Sequence, residues 1–254
     1  MTAIILAAGR GSRLNQLTDQ RPKCLVELQG RSLLNWQTSA LRSAGIQDIV
    51  VVRGYGKDSL PGDGYSLIDN PRWESTNMVA SLQCASSILQ KKITLVSYGD
   101  IVYHPSIILR LIQSDGDLVI TYDRLWKELW EARFEDPLKD AETFQTRNGY
   151  VIAIGSKTER IDEIEGQYMG LLKFTPSGWA AVEGILAGVS DEIRDRMDMT
   201  GLISHLIAVG HRIRAIPVEG GWCEVDTEQD LRLYKRKTAE VDQTGTRWNH
   251  DWRW

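Results

Sequence analysis

Two cations flank a glycine-containing loop near the start of the chain, and they are its most suggestive chemical feature. An apolar run at 3–7 predicts a buried strand, which breaks at Gly9 and Gly11. Glycines let the backbone approach a ligand closely, and successive N–H groups can form a concavity that binds anions. With Arg13 in the loop and Lys23 just after a proline, the segment predicts a polyphosphate-binding site. An ordinary tight turn between a strand and a helix is the alternative interpretation.

Two acidic residues, far apart in the sequence, lie next to predicted strands. Asp100 follows a strand predicted at 93–97, and Asp226 stands between a late strand region and a helix predicted at 227–237. Ligands of open α/β sheets bind at the carboxyl ends of strands, and Mg²⁺ typically takes one or two carboxylates together with substrate phosphates. We therefore expect Asp100 and Asp226 to share one or two Mg²⁺ ions, which requires carboxylates within about 8 Å of each other. Glu224 is a reserve ligand, since a spacing of two on a strand puts it on the same face as Asp226. Taken singly, each aspartate could be only a turn or helix-cap residue.

The start of the chain resembles the nucleotidyltransferase superfamily, whose members attach a nucleoside monophosphate to a sugar phosphate or another small phosphate. The resemblance is carried by Leu6-Ala-Ala-Gly-Arg-Gly-Ser-Arg-Leu14 followed by Pro22-Lys-Cys-Leu25. The dinucleotide fingerprint would need glycine where Leu14 stands, and the Gly-Lys-Ser/Thr of a P-loop is absent. The resemblance implies Mg²⁺ ligands at the places where Asp100 and Asp226 stand. It also implies nucleotide contacts from Leu6, Ala7, Ala8, Gly9, Gly11, Ser12 and Gly99.

The chemistry implied by this resemblance needs few specialised groups. A phosphate or phosphonate oxygen of the acceptor attacks the α-phosphorus of a nucleoside triphosphate, and pyrophosphate leaves. Because the second pKa of a phosphomonoester is about 6, the attacking oxygen is already ionised and no general base is required. Catalysis then depends on positioning and on neutralising charge, which Arg13, Lys23 and Mg²⁺ would supply.

Other segments are similar to a narrower group, the bacterial cytidylyltransferases that act on phosphocholine, aminoalkylphosphonates or phosphoglutamine. The similarity covers most of 3–233, and its specific parts are Thr76-Asn-Met78, the Trp-rich block 126–142 and Trp222-Cys-Glu-Val-Asp226. It implies that the donor is CTP. Asn77 and Ser81 lie one helical turn apart and could contact the base or the ribose, or could simply cap and pack the helix.

The acceptor site is the least defined part of the sequence. An aromatic wall of Trp126, Trp130, Tyr168 and Trp222 could hold an amine or a quaternary ammonium group, although a core stripe is the alternative for the tryptophans. Asp123 and Glu142 could meet a primary amine. Arg133 could bind the acceptor phosphate or pair with a nearby acid.

Composition excludes several classes of function. The 254 residues carry a formal net charge of −4 without a basic tract, which argues against nucleic acid as a partner. No apolar run reaches the roughly 18 residues of a membrane span, and no basic segment precedes the first apolar stretch as in a signal peptide. Three cysteines without metal-ligand spacing favour reduced thiols in a cytoplasm. The sequence leaves open whether the chain forms a homodimer.

The alternation of strands and helices predicts an α/β fold, a doubly wound and mostly parallel sheet of the Rossmann-like nucleotidyltransferase type. We expect one domain at 1–240 with an acceptor-side insertion at 122–175, followed by a polar, Trp-rich tail at 241–254. The predicted strands are 3–7, 48–53, 93–97, 118–121, 150–154, 168–174 and 214–218. The predicted helices are 33–44, 78–89, 105–112, 178–186, 199–209 and 227–237.

Two other functions compete with a cytidylyltransferase. A sugar-1-phosphate nucleotidylyltransferase using UTP, dTTP or GTP would share the phosphate loop but would carry a different segment in place of 126–142. A non-catalytic nucleotide-sensing protein would be expected to lack Arg13, Lys23 or one of the two aspartates, and all four are present. A nicotinamide oxidoreductase is disfavoured by Leu14.

Overall fold

A nine-stranded sheet crosses the molecule in the computed structural model, which describes all residues from 1 to 254. The strands of the molecule are β1 (Thr2–Ala7), β2 (Glu27–Leu28), β3 (Arg31–Ser32), β4 (Ile49–Arg53), β5 (Ser66–Asp69), β6 (Thr94–Tyr98), β7 (Ile101–Tyr103), β8 (Leu118–Asp123), β9 (Phe144–Arg147), β10 (Tyr150–Ile154), β11 (Gln167–Phe174), β12 (Arg214–Val218) and β13 (Trp222–Glu224). The helices are α1 (Leu33–Ser43), α2 (Met78–Gln83), α3 (Ser86–Leu89), α4 (Pro105–Gln113), α5 (Trp126–Arg133), α6 (Pro176–Ala187), α7 (Asp191–Arg196), α8 (Met199–Ala208) and α9 (Glu228–Thr244).

The sheet is mixed but mostly runs in one direction. Its order is β5-β4-β1-β6-β11-β8-β12-β10-β9. Only β10 and β11 run opposite to the other seven strands. The predicted α/β fold with a doubly wound, mostly parallel sheet is confirmed. Residues 122–175 contribute α5 and the strands β9 to β11. All three strands belong to this one sheet.

Helices cover both faces of the sheet, which explains the continuous apolar runs of the central strands. Along β1, Ala3 and Ile5 belong to one buried cluster, and Ile4 belongs to the other. The first cluster is completed by α1, α4, α5 and α9, and the second by α2, α3, α6 and α8. At their carboxyl ends, β1 continues into a loop and β6 into a turn.

A separate two-stranded sheet lies beside these carboxyl ends and determines where Glu224 and Asp226 lie. β7 pairs antiparallel with β13, with Ile101 opposite Glu224. The backbone N–H of Val225 donates to the carbonyl of Asp100 over 2.9 Å. Asp226 thus follows a strand of this small sheet. Both aspartates are expected at strand ends of one open sheet, whereas the strand before Asp226 belongs to the small sheet.

The polar, Trp-rich end of the chain packs partly into the interior of the molecule. Helix α9 continues to Thr244, where Gly245 ends it with φ +69°. Two of the residues that follow, His250 and Trp252, are fully buried. Trp252 packs edge-on against Trp36, with 5.9 Å between ring centroids. The tail is polar in composition, but its rings fill a gap between α1 and α9.

One predicted helix changes, and one further helix is observed. The helix predicted at 78–89 is interrupted at Ala85, whose backbone leaves the helical region (φ −101°, ψ 14°). The charged and aromatic stretch after Tyr122 forms α5. None of the helices combines the length and the apolar character that crossing a membrane needs.

Asp123 ties the tail to the sheet from a fully buried position at the end of β8. Its Oδ1 accepts from the backbone N–H groups of Leu125 and Gly220, each over 2.9 Å. Its Oδ2 accepts from Trp222 Nε1 and lies 2.9 Å from His250 Nε2. Burial alone would raise the pKa of Asp123, but the contact with His250 and the other hydrogen bonds lower it below its ordinary value of 3.8.

Replacing Asp123 by Asn should lower the free energy of unfolding by about 3 kcal/mol, measured by urea titration at neutral pH. The amide offers a single acceptor oxygen, so buried donors lose their partner. Because the folded-state pKa of Asp123 is lowered, its stabilisation exists above pH 3.8 and disappears as the pH falls further, and the difference between variant and wild type should shrink in acid. Asp162→Asn, at an exposed ion pair, should stay within about 0.5 kcal/mol. Equal effects of the two substitutions would contradict a structural role for Asp123.

Candidate active site

A cleft of about 260 Å³ opens at the carboxyl ends of β1 and β6. Eight of the nine predicted nucleotide-binding residues line it: Leu6, Ala7, Ala8, Gly9, Gly11, Asn77, Ser81 and Gly99. Ser12 does not line the cleft, because it is exposed at the start of a short 3₁₀ turn. The glycine loop, the helix start at Asn77 and the two strand ends therefore form one concave surface.

Two glycines are required by the close approach of neighbouring segments. Gly11 has φ +71°, and a Cβ added there would lie 2.7 Å from Cβ of Lys23. Gly99 donates its N–H to Leu6 O over 2.9 Å, and an added Cβ would lie 2.6 Å from that oxygen. These contacts bring the glycine loop and the residue before Asp100 to within reach of each other.

Three carboxylates meet beside this loop. Single oxygens of Asp100, Glu224 and Asp226 lie within 4.8 Å of one another. The expectation that Asp100 and Asp226 come within about 8 Å is met. Asp100 Oδ1 is buried and has no hydrogen-bond partner. An unpartnered buried carboxylate oxygen in an oxygen-rich cluster is the donor set that a divalent cation prefers, so the residues fit such an ion.

Lys23 lies between the two aspartates and balances their charge. Its Nζ is 2.8 Å from Asp100 Oδ2 and 2.6 Å from Asp226 Oδ1. Burial alone would lower the pKa of Lys23, but the surrounding carboxylates raise it to about 12. Arg13 reaches the same group from the glycine loop, with 2.9 Å between Nη2 and Asp226 Oδ1, and its side chain is mostly exposed. Both predicted catalytic cations are therefore at the carboxylate cluster.

The carboxylates at the end of β13 titrate as a linked pair. Burial and the nearby Asp226 raise the pKa of Glu224 well above its usual range. The pKa of Asp226 is lowered, because Lys23 and a hydrogen bond with Glu224 outweigh burial. The positive charge of Lys23, which lies between Asp100 and Asp226, offsets part of the repulsion among these close acids.

Arg133 supports this cluster from behind. Its side chain is fully buried, and its Nε donates to Asp230 Oδ1 over 2.9 Å. Its other nitrogens lie 3.3 Å from Asp226 Oδ2 and 3.5 Å from Glu224 Oε2. Asp230 also accepts from the backbone N–H groups of Asp226 and Thr227, which forms the capping box of α9. Of the two roles considered for Arg133, the structure places it as the partner of nearby acids and not at an acceptor phosphate.

The predicted aromatic wall is largely a core feature. Trp126, Trp130 and Trp222 are at most 3% exposed. Trp130 also donates to Asp140, and Trp222 donates to Asp123. The rings pack between α5 and the small sheet because a helix laid over that sheet buries its aromatic face. These three residues and the buried Asp123 offer no surface to an acceptor, which corrects their predicted placement.

Neither Tyr168 nor Glu142 lines the cleft, although Tyr168 contacts a residue that does. The Tyr168 ring packs edge-on against Tyr98, which lines the cleft, with 5.8 Å between centroids. The Tyr168 hydroxyl is buried and without a partner. Glu142 is half-buried, and its carboxylate makes no hydrogen bond or ion pair. Burial raises the pKa of Glu142.

The two polar residues of α2 have structural partners. Asn77 Oδ1 accepts from the N–H of Met78, and its Nδ2 donates to Arg196 O over 3.2 Å. Ser81 is buried and accepts from Asn70 Nδ2. Both residues also line the cleft, so their contact with a nucleotide stays a prediction beside the structural contacts that are observed.

Sequence reasoning missed several residues of the site. Trp73, Thr76, Met78, Tyr98 and Cys24 also line the cleft. Tyr98 could have been found from its place one residue before Gly99 at the end of a strand. Trp73 belongs to a loop without a motif and enters the cleft because Gly54 leaves room for it, where an added Cβ would lie 2.4 Å from Cβ of Trp73.

Comparisons with known proteins agree with this geometry. The model of the MobA-like NTP transferase domain matches residues 3–146, more than half of the chain. The chain belongs to this family. The prediction of a nucleotidyltransferase is thereby confirmed. The chain is also 38% identical, over 93% of its length and all of the relative's, to a protein of Campylobacter jejuni named CTP:phosphoglutamine cytidylyltransferase.

Solved structures share the fold of this NTP transferase. An inositol-1-phosphate CTP transferase from T. maritima superposes with a TM-score of 0.72 at 18% identity, covering 92% of this chain and 95% of the other. CTP:phosphocholine cytidylyltransferase from Streptococcus pneumoniae gives a TM-score of 0.68 at 23% identity, covering 94% and 98%. The predicted similarity to bacterial cytidylyltransferases is confirmed.

The stability of two variants of this NTP transferase tests the geometry of the glycine loop. Gly11→Ala should lower the free energy of unfolding by about 1–3 kcal/mol, because alanine is strained at φ +71° and its Cβ would collide with Lys23. Gly9→Ala is the matched control, since nothing lies within 4 Å of an added Cβ and φ there is not positive. Urea unfolding of both variants measures the difference. Identical midpoints would show that Lys23 does not pack against the loop as described.

Proposed function

We propose that this chain transfers CMP from CTP to a small phosphorylated acceptor of the phosphoglutamine type, with release of pyrophosphate. The observation that carries the proposal is the 38% identity with the C. jejuni protein over nearly the whole of both chains. Shorter matches support the same class of reaction, among them a 2-aminoethylphosphonate cytidylyltransferase at 31% identity over 39% of the chain. Phosphocholine and aminoalkylphosphonates are the next acceptors to consider.

The cleft suits a nucleoside triphosphate divided between two walls. Trp73, Thr76, Asn77 and Ser81 give a mixed aromatic and polar wall, as a pyrimidine base and its ribose would require. The glycine loop at 9–11 opposes it with backbone N–H groups, on which the phosphates would lie. The α-phosphorus would then come next to Lys23 and the carboxylate cluster.

Asp100 and Asp226 are the proposed ligands of Mg²⁺, and Glu224 stands in reserve. A bound Mg²⁺ would neutralise charge on the triphosphate and polarise the α-phosphoryl group. The residues of the chain do the remainder. Arg13 and Lys23, which now pair with carboxylates, can turn to phosphate oxygens as the ion takes over the balancing of the acids. Whether one or two ions bind stays open.

The transfer itself requires no proton carrier. The ionised acceptor oxygen forms a bond to the α-phosphorus while the bond from that phosphorus to the bridging oxygen of pyrophosphate breaks, and pyrophosphate leaves with that electron pair. Arg13 and Lys23 would stabilise the charge on the transferring group and on the leaving group. No Ser-His-Asp or Cys-His set lines the cleft, in accord with this chemistry.

The acceptor is proposed to lie between the carboxylate cluster and Glu142. The half-buried carboxylate of Glu142, which makes no ion pair, would bind an ammonium or amide group of the acceptor, whereas the buried hydroxyl of Tyr168 has no surface to offer it. This places the acceptor phosphate toward Lys23. The three free cysteines agree with action in a cytoplasm, where CTP is available. A homodimer stays a prediction.

The first test is a donor and acceptor panel. CTP, UTP, dTTP and GTP are each offered with phosphoglutamine, phosphocholine, 2-aminoethylphosphonate and glucose 1-phosphate, and pyrophosphate release is measured with Mg²⁺. CTP should exceed every other donor at least tenfold in kcat/KM, a difference of about 1.4 kcal/mol. A tenfold preference for UTP or dTTP together with glucose 1-phosphate would replace the proposal by a sugar-phosphate nucleotidylyltransferase.

The metal site is tested by Asp100→Asn. This change keeps the side-chain shape and removes the charge, so turnover should fall at least about a hundredfold while CTP binding changes less, because the ion acts on the transferring phosphorus. Calorimetric titration with Mg²⁺ in the presence of CTP should show weaker ion binding. Asp226→Asn should behave alike, and Asp19→Asn, on the exposed turn after the glycine loop, is the control. Wild-type turnover with an unchanged Mg²⁺ requirement in Asp100→Asn would remove Asp100 from the metal site.

A further inference from the structure

The loop at 70–77, between β5 and α2, forms one wall of the cleft. Hydrogen bonds hold it at both of its ends. At its start, Asn70 Oδ1 accepts from the N–H of Arg72, and its Nδ2 donates to Thr76 Oγ1 and to Ser81 Oγ. These bonds set the local turn. They do not fix how the loop as a whole is inclined over the cleft.

The other anchor comes from α7, more than a hundred residues later in the chain. The guanidinium of Arg72 makes two bonds to the Asp195 carboxylate, of 2.7 and 2.9 Å. The backbone N–H of Asn77 donates to Asp195 O over 2.6 Å, and Asn77 Nδ2 donates to Arg196 O. One residue of α7, Asp195, therefore binds the loop near its beginning through the side chain and at its end through the backbone.

The Arg72–Asp195 pair is suited to orienting the loop more than to stabilising the fold. Two parallel bonds between guanidinium and carboxylate fix direction as well as distance. The pair is exposed, with 57% of the Arg72 side chain and 23% of the Asp195 side chain accessible, and exposed pairs contribute little to stability. Helix α7 has no residue in either buried cluster, and it lies outside the 3–146 segment matched by the family model.

We propose that Arg72 and Asp195 are positioning residues for the donor nucleotide. They hold the 70–77 loop against α7 so that Trp73, Thr76 and Asn77 face the cleft. The inference rests on the proposed binding of a nucleoside triphosphate in this cleft. Since Trp73, Thr76 and Asn77 line the cleft but do not belong to the carboxylate cluster, we expect the pair to affect how tightly the nucleotide binds and not the rate of transfer once it is bound.

The test compares Arg72→Ala and Asp195→Asn with wild type in steady-state kinetics and in direct titration of CTP by the quenching of tryptophan fluorescence. Each variant should raise KM and Kd for the donor about three- to fivefold, the upper value corresponding to about 1 kcal/mol. The kcat and the acceptor KM should stay within twofold. The exchanged pair Arg72→Asp/Asp195→Arg should return the donor KM to within twofold of wild type, which a loss of local folding would not allow.

Lys92→Ala is the matched control, since it breaks an exposed ion pair between Lys92 and Asp48. These residues precede β6 and β4, so the pair lies at the amino ends of the strands, opposite to the cleft. It should leave every kinetic parameter unchanged. If wild type binds and uses CTP but the Arg72 and Asp195 variants keep its donor KM, or lose kcat instead, the positioning role is wrong and the proposed function stands. If wild type neither binds nor uses any nucleoside triphosphate, the proposed function fails and takes this inference with it.

Discussion

The pairing of β7 with β13 is the constraint on which the site depends. It sets Glu224 opposite Ile101 and ties Val225 to the carbonyl of Asp100, so that acids separated by more than a hundred residues in sequence come within 4.8 Å. Backbone hydrogen bonds define this register without reference to side chains. A shift by one residue would turn Glu224 and the chain leading to Asp226 to the opposite face.

Such a small sheet is marginal by itself, and buried charges secure it. Asp123 accepts from Gly220 before β13, from Trp222 within it and contacts His250 in the tail. Arg133 binds the far end of the same segment through Asp226 and Asp230. Removing one partner of such a network leaves an uncompensated buried charge. Asp123 and Arg133 therefore serve to hold the small sheet in place, although they lie close to the site.

The parts that sequence could predict are those with local causes. The apolar run of β1, the glycines at 9 and 11 and the strand-end position of Asp100 follow from periodicity and backbone freedom, and they appear where expected. The roles of Trp126, Trp130 and Trp222 could not be read in this way, because a tryptophan suits a core and a ligand site equally well and only tertiary packing decides. For the tail, the polar composition gave no indication that Trp252 is buried.

Lys23 shows how the site balances stability and function. Three acids at this distance would repel one another, and the positive charge of Lys23 offsets part of that repulsion. The oxygens that Lys23 pairs with are also those a divalent cation would need, so ion and lysine compete for the same charge. A triphosphate bound there together with a cation would offer new anionic partners to Lys23, so the lysine would lose little by releasing the carboxylates. The same charge that holds the acids together would in this way become available to the transferring phosphoryl group when substrate is bound.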